Sequence, residues 1–276
     1  MRHAPLPPHV RAVQAPGIEQ VKLIDATPIG INVRSTVATY ANVHDELRKL
    51  FARTPDAKQR GYKAGDFSYN TGRLRCAECD GTGEISLDVQ FLPDVDVPCP
   101  TCRGARYARE AFDVKYTNQR GEKFSLPELM ALDVSAALDV CADWKVVRQR
   151  LQILQDLGLG YLTLGEETPS LSGGEAQRLK LASEMGKPQH STVFVFDEPT
   201  IGLHPLDVRT LLGVFQRLIQ NGATVVVIEH DLDVLRHADY IIDMGPGGGS
   251  AGGTVVACGP AETIKQCPRS LTGRYL

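Results

Sequence analysis

The sequence predicts an α/β protein, a parallel sheet with helices, carrying a helical region and a small four-cysteine metal module. Three observations predict it. From Ser172 onward, helical and apolar strand patterns alternate, which is the rhythm of βαβ units. The runs "VFVF" (Val193 to Phe196) and "TVVVI" (Thr224 to Ile228) are apolar on both faces, as buried parallel strands are. Four cysteines fall in two CxxC pairs within a stretch rich in glycine and proline.

Composition sets the outer limits. A chain of 276 residues accommodates one large or two smaller domains, and a 42% hydrophobic share supports a core. The net charge of -3 provides no global basic field, so any nucleic-acid contact must come from a local patch. No apolar run approaches the ~20 residues that span a bilayer, and no membrane association is expected. "MRHAPLPPHVRAVQAPG" has no signal-peptide core, and its prolines read as an irregular lead-in. Seven cysteines, an odd number, point to a reducing compartment; the cytoplasm is expected.

The elements follow in order. "VKLIDA" reads as a short strand and "TPIGINVRS" as a loop. Thr39 to Arg53 has helical spacing, with Val43, Leu47, Leu50 and Phe51 on one side. Residues 54–75 read as a polar loop, and 76–110 as the metal module. "SLPELMALDVSAALDVCAD" and "WKVVRQRLQILQDLGL" read as helices. The helix after Ser172 should run to about Met185, with Gly186 as its C-cap and Pro188 preventing continuation. Boundaries are expected near 53/54, 115/116 and 190/191.

Three motifs carry chemistry. Ser172 and Glu175 have capping-box spacing, hydroxyl on one orphan amide and carboxylate on another. Gly173 and Gly174 lack side chains, so a phosphate can approach the amides and the positive helix end. Asp197 and Glu198 follow "VFVF" at the carboxyl end of a strand, where open α/β sheets place ligand chemistry. One carboxylate can hold Mg²⁺ and the next can polarise a water. "TVVVIEHD" ends a second strand in His230. Cys76, Cys79, Cys99 and Cys102 form C-x₂-C-x₁₉-C-x₂-C, a spacing that suits tetrahedral Zn²⁺ in a structural role. Cys141, Cys258 and Cys267 stand apart from it.

A basic strip leads into the cysteines. Arg53, Lys58, Arg60, Lys63, Arg73 and Arg75 face only Asp56 and Asp66, with Tyr62, Phe67 and Tyr69 interleaved. That mixture suits phosphate contact and base stacking; a solvated loop is the alternative. Lys63, Arg73 and Arg75, with Arg103 and Arg106 at the second knuckle, form the expected surface for double-stranded DNA.

"LSGGEAQRLKLA" resembles the signature motif of ABC-type ATPases. That resemblance implies an ABC-type head using ATP and Mg²⁺, with Ser172 to Glu175 meeting the nucleotide. It makes Asp197 the Mg²⁺ group, Glu198 the general base and His230 the γ-phosphate sensor. With "RGYKAGDFSYN", "RCAECDGTGEI", "FLPDVDVPCPTCRGARY", "DEPTIGLH" and "VVVIEHDLDVL", the chain resembles the UvrA family of bacterial nucleotide excision repair from about Ile24 onward. The match is to the second ATPase half. It implies ATP-dependent damage recognition, a homodimer, and UvrB as a further partner.

Two departures stand out. No G-x-x-x-x-G-K-[ST] loop occurs; Gly-Lys is found only at Gly186-Lys187, before Pro188. In the family that loop precedes the signature, so the missing half is expected before residue 1 or on a partner. The family usually carries glutamine where this chain has Ala26, and "INVRS" replaces a more basic stretch. These differences leave open a UvrA-like ATPase giving resistance to DNA-binding antibiotics. A third reading is a zinc-dependent DNA-binding module with vestigial ATPase parts.

Overall fold

The computed structural model describes residues 10–30, 32–87, 95–185, 187–247 and 252–276. Gly186, the expected C-cap, and the middle of the glycine run after Gly247 lie outside the described residues. The chain divides into two compact units: Ala26–Lys187, and the part up to Asp25 joined with Pro188–Leu276. The stretch from Ala26 to Arg53 therefore groups with the cysteine and helical regions, a different division from the one read in the sequence.

In the unit up to Asp25 and from Pro188, three strands form a parallel sheet: β1 (Gln20–Ile24), β6 (Thr192–Asp197) and β7 (Thr224–Ile228), with β6 in the centre. The register pairs Leu23 with Val195, and Val195 with Val226. Helix α8 (Pro205–Gln220) returns the chain between β6 and β7. Phe194 and Phe196 are buried, and the Phe196 ring lies 4.7 Å from that of Phe215 on α8. Burial on both faces, expected for these strands, is not what the structure has. Val21, Leu23, Val226 and Ile228 are 59%, 58%, 44% and 54% exposed. Apolar sequence specifies a cover, and among the described residues the cover lies on the Phe194–Phe196 side. The unit ends in α9 (Leu232–Arg236), the hairpin β8 (Ile241–Met244) with β9 (Val255–Gly259), and α10 (Ala261–Lys265).

In Ala26–Lys187, the helix expected over Thr39–Arg53 is two: α1 (Val37–Tyr40) and α2 (Val43–Phe51). Asn42 adopts φ 58°, a left-handed conformation that asparagine tolerates, and breaks the run. Val43, Leu47 and Phe51 then form a buried stripe at i, i+4, i+8. The segment 54–75, expected as a polar loop, is ordered core. Helix α3 (Pro55–Arg60) begins at Thr54, whose Oγ1 accepts from the Ala57 amide, and ends at the left-handed Gly61. Phe67 and Tyr69 are fully buried and Leu74 nearly so.

The cysteine module contributes the antiparallel hairpin β2 (Glu84–Leu87) with β3 (Val95–Pro98), and a smaller pairing of β4 (Tyr116–Thr117) with β5 (Lys123–Phe124) follows. "SLPELMALDVSAALDVCAD" divides into α4 (Leu126–Met130) and α5 (Val134–Val140), because Asp133 caps a second start through its bond from the Ala136 amide. Helix α6 (Lys145–Asp156) and α7 (Gly173–Glu184) complete the unit.

Candidate functional site

The four cysteines converge. Cys76, Cys79, Cys99 and Cys102 are buried, and their sulfurs lie within 4.8 Å of one another. The Cys76–Cys99 and Cys79–Cys102 sulfur separations are 3.9 and 3.6 Å. A tetrahedron of thiolates ~2.3 Å from zinc has edges of about 3.8 Å, so the spacing fits. The knuckles are held by backbone. Asp80, Gly81 and Gly83 in the first, and Arg103, Gly104 and Arg106 in the second, all have positive φ. Gly81 is demanded for space as well, since a Cβ there would stand 1.7 Å from the Tyr69 carbonyl oxygen.

Acidity within the cluster is divided. Burial pushes the Cys102 thiol up to about 12. At Cys79 the raising effect of burial is outweighed by the amides of Gly83 and Gly81 and by neighbouring thiols, and its pKa falls to about 7. Four adjacent thiolates need a cation to ionise together, and with four protein ligands no position is left open for substrate. No other group of three or more metal-capable side chains is found among the described residues.

The signature residues form the expected capping box. Ser172 Oγ accepts from the Glu175 amide at 3.4 Å, and a Glu175 carboxylate oxygen accepts from the Ser172 amide at 2.7 Å. Tyr161 donates its hydroxyl to the other oxygen at 2.5 Å. Burial raises the Glu175 pKa, but the bonds from Tyr161 and Ser172 outweigh it, and the carboxyl sits below its ordinary range. The space beside Gly173 is partly taken, because an added Cβ would lie 3.1 Å from the Ala26 Cβ. A side chain at position 173 would therefore displace Ala26 rather than meet open solvent.

In the strand unit, Asp197 ends β6, exposed, and pairs with Ile228. Glu198 follows at φ 46°, its amide donating to the Ile228 carbonyl at 2.9 Å. A non-glycine residue held left-handed at a strand end is the sort of strain that gathers at functional turns. His230 presents its ring to solvent. Between them lies a residue that sequence reasoning missed. The Glu229 side chain is fully buried and accepts from the amides of Thr200, His230 and Asp231, and from the Thr200 hydroxyl. It fastens the Asp197–Thr200 turn to the His230 turn. Burial raises its pKa, but these donors outweigh it and leave the carboxyl below its ordinary range. Its signal was an acid flanked by a strand end and a histidine, where a buried acceptor of backbone donors is useful.

The basic strip is only partly a free surface. Lys63, Arg73 and Arg103 are exposed. Arg73 lies 4.0 Å from Asp66 and 5.6 Å from the Tyr62 ring. Arg75 is half-buried and pairs with Asp80 at 2.7 Å. Phe67 and Tyr69 are interior, so they present no stacking face. Arg106 also departs from expectation: its side chain is 6% exposed and paired with Glu167 at 2.5 Å, which removes it from a phosphate-contacting surface.

The chain is 49% identical over 260 residues, 94% of its length, to UvrABC system protein A of Aquifex aeolicus, and 48% identical over the same share to that of Bacillus subtilis. The crystal structure of UvrA2 from Deinococcus radiodurans matches with a TM-score of 0.85 and 43% identity over 95% of this chain. Over nearly its whole length, the chain is a UvrA homologue. It spans about a quarter of the length of these curated relatives, 28% and 27%, and 32% of the UvrA2 chain. No protein-family model matches it. The α/β fold with parallel sheet and helices is that of UvrA2. No described helix is long and apolar enough to cross a membrane.

Proposed function

We propose that the chain serves ATP-dependent recognition of damaged DNA, as the second ATPase half of a UvrA-type protein. What carries the reading is one observation. A four-thiol cluster and a boxed Ser-Gly-Gly-Glu helix start share one unit, in a chain 49% identical to UvrA over 94% of its length. Ser172, Gly173, Gly174 and Glu175 supply a nucleotide-facing helix end, with Gly173 closely packed beside Ala26. Asp197 is the Mg²⁺ group, Glu198 the general base and His230 the phosphate sensor, all three set by the turns that Glu229 ties. Cys76, Cys79, Cys99 and Cys102 hold structural Zn²⁺. A partner half carries the lysine-bearing loop that the sequence lacks, so this chain by itself should hydrolyse ATP negligibly. A dimer and a UvrB-type partner belong to the same reading.

Duplex DNA meets Lys63 and Arg73 of the strip and Arg103 of the second knuckle, all three exposed, with the half-buried Arg75 paired to Asp80. Phosphate contacts position without reading sequence, as a damage sensor requires. Fluorescence anisotropy of a labelled duplex, titrated at several salt concentrations, tests this. The triple variant Lys63→Ala, Arg73→Ala, Arg103→Ala should bind more weakly to damaged and undamaged duplex alike. Its log-log salt slope should flatten by up to about 2 to 3, roughly 0.9 per contact. Wild-type binding at every salt concentration would place the DNA surface elsewhere.

A second reading, a UvrA-like ATPase that gives resistance to DNA-binding antibiotics, draws on Ala26. Its methyl fills the space beside Gly173, where a glutamine would have to be accommodated. Complementation of a repair-deficient strain separates the two: survival after ultraviolet exposure supports repair, and survival only under the drug supports resistance.

A further inference from the structure

Arg106 touches more separate parts of the Ala26–Lys187 unit than its place in the second knuckle requires. Its amide donates to the Cys102 sulfur, and its carbonyl accepts from the Cys76 amide at 2.9 Å. The backbone of one residue therefore reaches a ligand of each CxxC pair. The guanidinium then leaves the cluster. One nitrogen donates to the Val33 carbonyl at 3.0 Å and, at 3.4 Å, to the Gly81 carbonyl; another donates to Glu167 at 2.5 Å. Its carbon lies 5.4 Å from the Tyr69 ring centre. Glu167 is the residue before Thr168, where the strand-like pairing of 35–38 with 164–168 ends, five residues ahead of the signature helix at Gly173. The Thr168 amide donates to the Ser35 carbonyl at 2.9 Å, and the Val37 amide to the Glu166 carbonyl at 2.9 Å.

We infer that Arg106 is a positioning residue that couples the metal state of the four-cysteine cluster to the order of the segment leading into the signature helix. The inference rests on the proposed zinc site.

Three features favour coupling over simple stabilisation. First, the conformation of Arg106 is imposed: φ 66° at a non-glycine residue is held by the bonds to the two knuckles, so losing the metal releases the strain. Second, the guanidinium is 6% exposed and its partner carboxylate 22%, so the arginine cannot leave Glu167 without leaving a largely buried cation unpaired. A displaced Arg106 must carry Glu167 with it or leave it unpaired. Third, packing does not cage the pair. Both residues line a 530 Å³ cavity, together with Thr82, Gly83, Glu166 and Ser170. On that side their geometry is set by directed bonds, and fork-shaped guanidinium contacts are what lysine cannot reproduce.

The test is amide hydrogen exchange over residues 164–172, read beside zinc content by elemental analysis, in the 276-residue chain. In wild type, stripping zinc with a chelator should speed exchange in this segment at least tenfold, and restoring zinc should reverse it. Arg106→Lys should retain one zinc per chain yet show the faster exchange already, with little further change on stripping. Glu167→Gln, which keeps the shape and loses the charge, should fall between. Arg109→Ala, an exposed arginine just beyond the same knuckle, should exchange in this segment as wild type does. A merely structural role would add the variant's effect to the chelator's; coupling makes the two non-additive. Full zinc occupancy with unchanged exchange after stripping, or additive effects, would overturn the inference. Protein purified without zinc would overturn the metal reading beneath it, while the Arg106→Lys comparison would still judge the contact to the signature segment.

Discussion

The two units differ in how completely they cover their own apolar groups. In Ala26–Lys187, Phe51, Phe67, Tyr69 and Tyr107 are fully buried, with Leu47, Leu126, Leu129, Leu151 and Leu154 around them. Some of its interior polar groups are matched: His44 Nε2 lies 2.7 Å from the Tyr107 hydroxyl, which donates to the Phe67 carbonyl, and Arg106 meets Glu167, whereas Asn70 Oδ1 and Thr168 Oγ1 are buried without a hydrogen bond among the described residues. The strand unit buries Phe194 and Phe196, yet shows Val21, Leu23, Val226 and Ile228 to solvent, and Ile242, Met244 and Val255 on its hairpin. On the sheet, Leu23 and Val226 lie in register on either side of Val195, so this exposed apolar surface runs across neighbouring strands. The first unit is organised around interactions it contains; the second carries apolar surface that its described residues leave uncovered.

The largest effect should come from breaking the first unit at its proposed metal site. Structural zinc contributes about 10–16 kcal/mol in zinc-finger peptides, and at the proposed site it would gather four buried thiols. Trp144, the one tryptophan, reports on this unit through Phe51 and Tyr116. Chelation, or Cys76→Ser with Cys99→Ser, should lower its fluorescence melting midpoint by roughly 10 °C or more. An unmoved midpoint in zinc-free protein would mean that the helical core stands without the cluster.

Next is the core itself. Phe67→Ala should cost about 3–5 kcal/mol in denaturant unfolding, since the ring is buried between Phe51 and Tyr62 and the site cannot collapse. A loss below about 1 kcal/mol would return segment 54–75 to the status of a loop.

Acid should act on the same core through His44. Burial, and secondarily Arg48, lowers its pKa to about 3. The sign follows from linkage. Below its ordinary pKa near 6.5 the unfolded chain takes up a proton that the folded His44 refuses, so stability falls as pH drops from about 6.5 toward 3. The slope from this residue is at most about 1.4 kcal/mol per pH unit. Equilibrium unfolding followed across that window should show the decline, and His44→Phe should flatten it; an equal slope in the variant would assign the decline to other groups.

How legible was all this in the sequence? Where a motif fixes its own local geometry, reading succeeded: C-x₂-C pairs make knuckles, and S-x-x-E makes a capping box, because spacing alone brings donor to acceptor. Breaks in helices were missed where one residue decides them, as Asn42 does by turning left-handed and Asp133 by capping a new start. Segment 54–75 was misread because its charged residues outnumber the few that matter, and Phe67, Tyr69 and Leu74 show no simple period. Arg106 counted as surface charge since arginine usually is; its partner Glu167 lies 61 residues away, beyond any local pattern. Glu229 was hidden for the converse reason: its partners are mostly backbone amides, which sequence does not mark.

A smaller effect belongs to the signature helix. Ser172→Ala removes one of its N-terminal acceptors and should cost about 1 kcal/mol. Glu175 retains its bonds from the Ser172 amide and Tyr161, so the helix should still form. Circular dichroism unchanged at low temperature, with a modestly lower unfolding midpoint, is the expected pair of results; loss of helical signal would show that the hydroxyl nucleates the helix rather than trimming its end.

The smallest effect tests the open sheet face, and with it the contrast between the units. Leu23 and Val226 flank Val195 in register, and both side chains meet water. Threonine is itself a β-branched strand former, so replacing both with it preserves sheet propensity while apolar area is lost. A buried pair would lose several kcal/mol on such a change, because hydroxyls would be left without partners. An exposed pair should lose no more than about 0.5 kcal/mol for each change. Dye binding supplies the second readout: the fluorescence of an apolar dye on the folded chain should fall in Leu23→Thr, Val226→Thr, while the unfolding midpoint barely moves. Near-neutral stability with reduced dye binding confirms a face that the chain leaves open. A drop of 2–3 kcal/mol would mean that these side chains are covered in solution, and the strand unit would then be as self-contained as the unit that holds the cysteines.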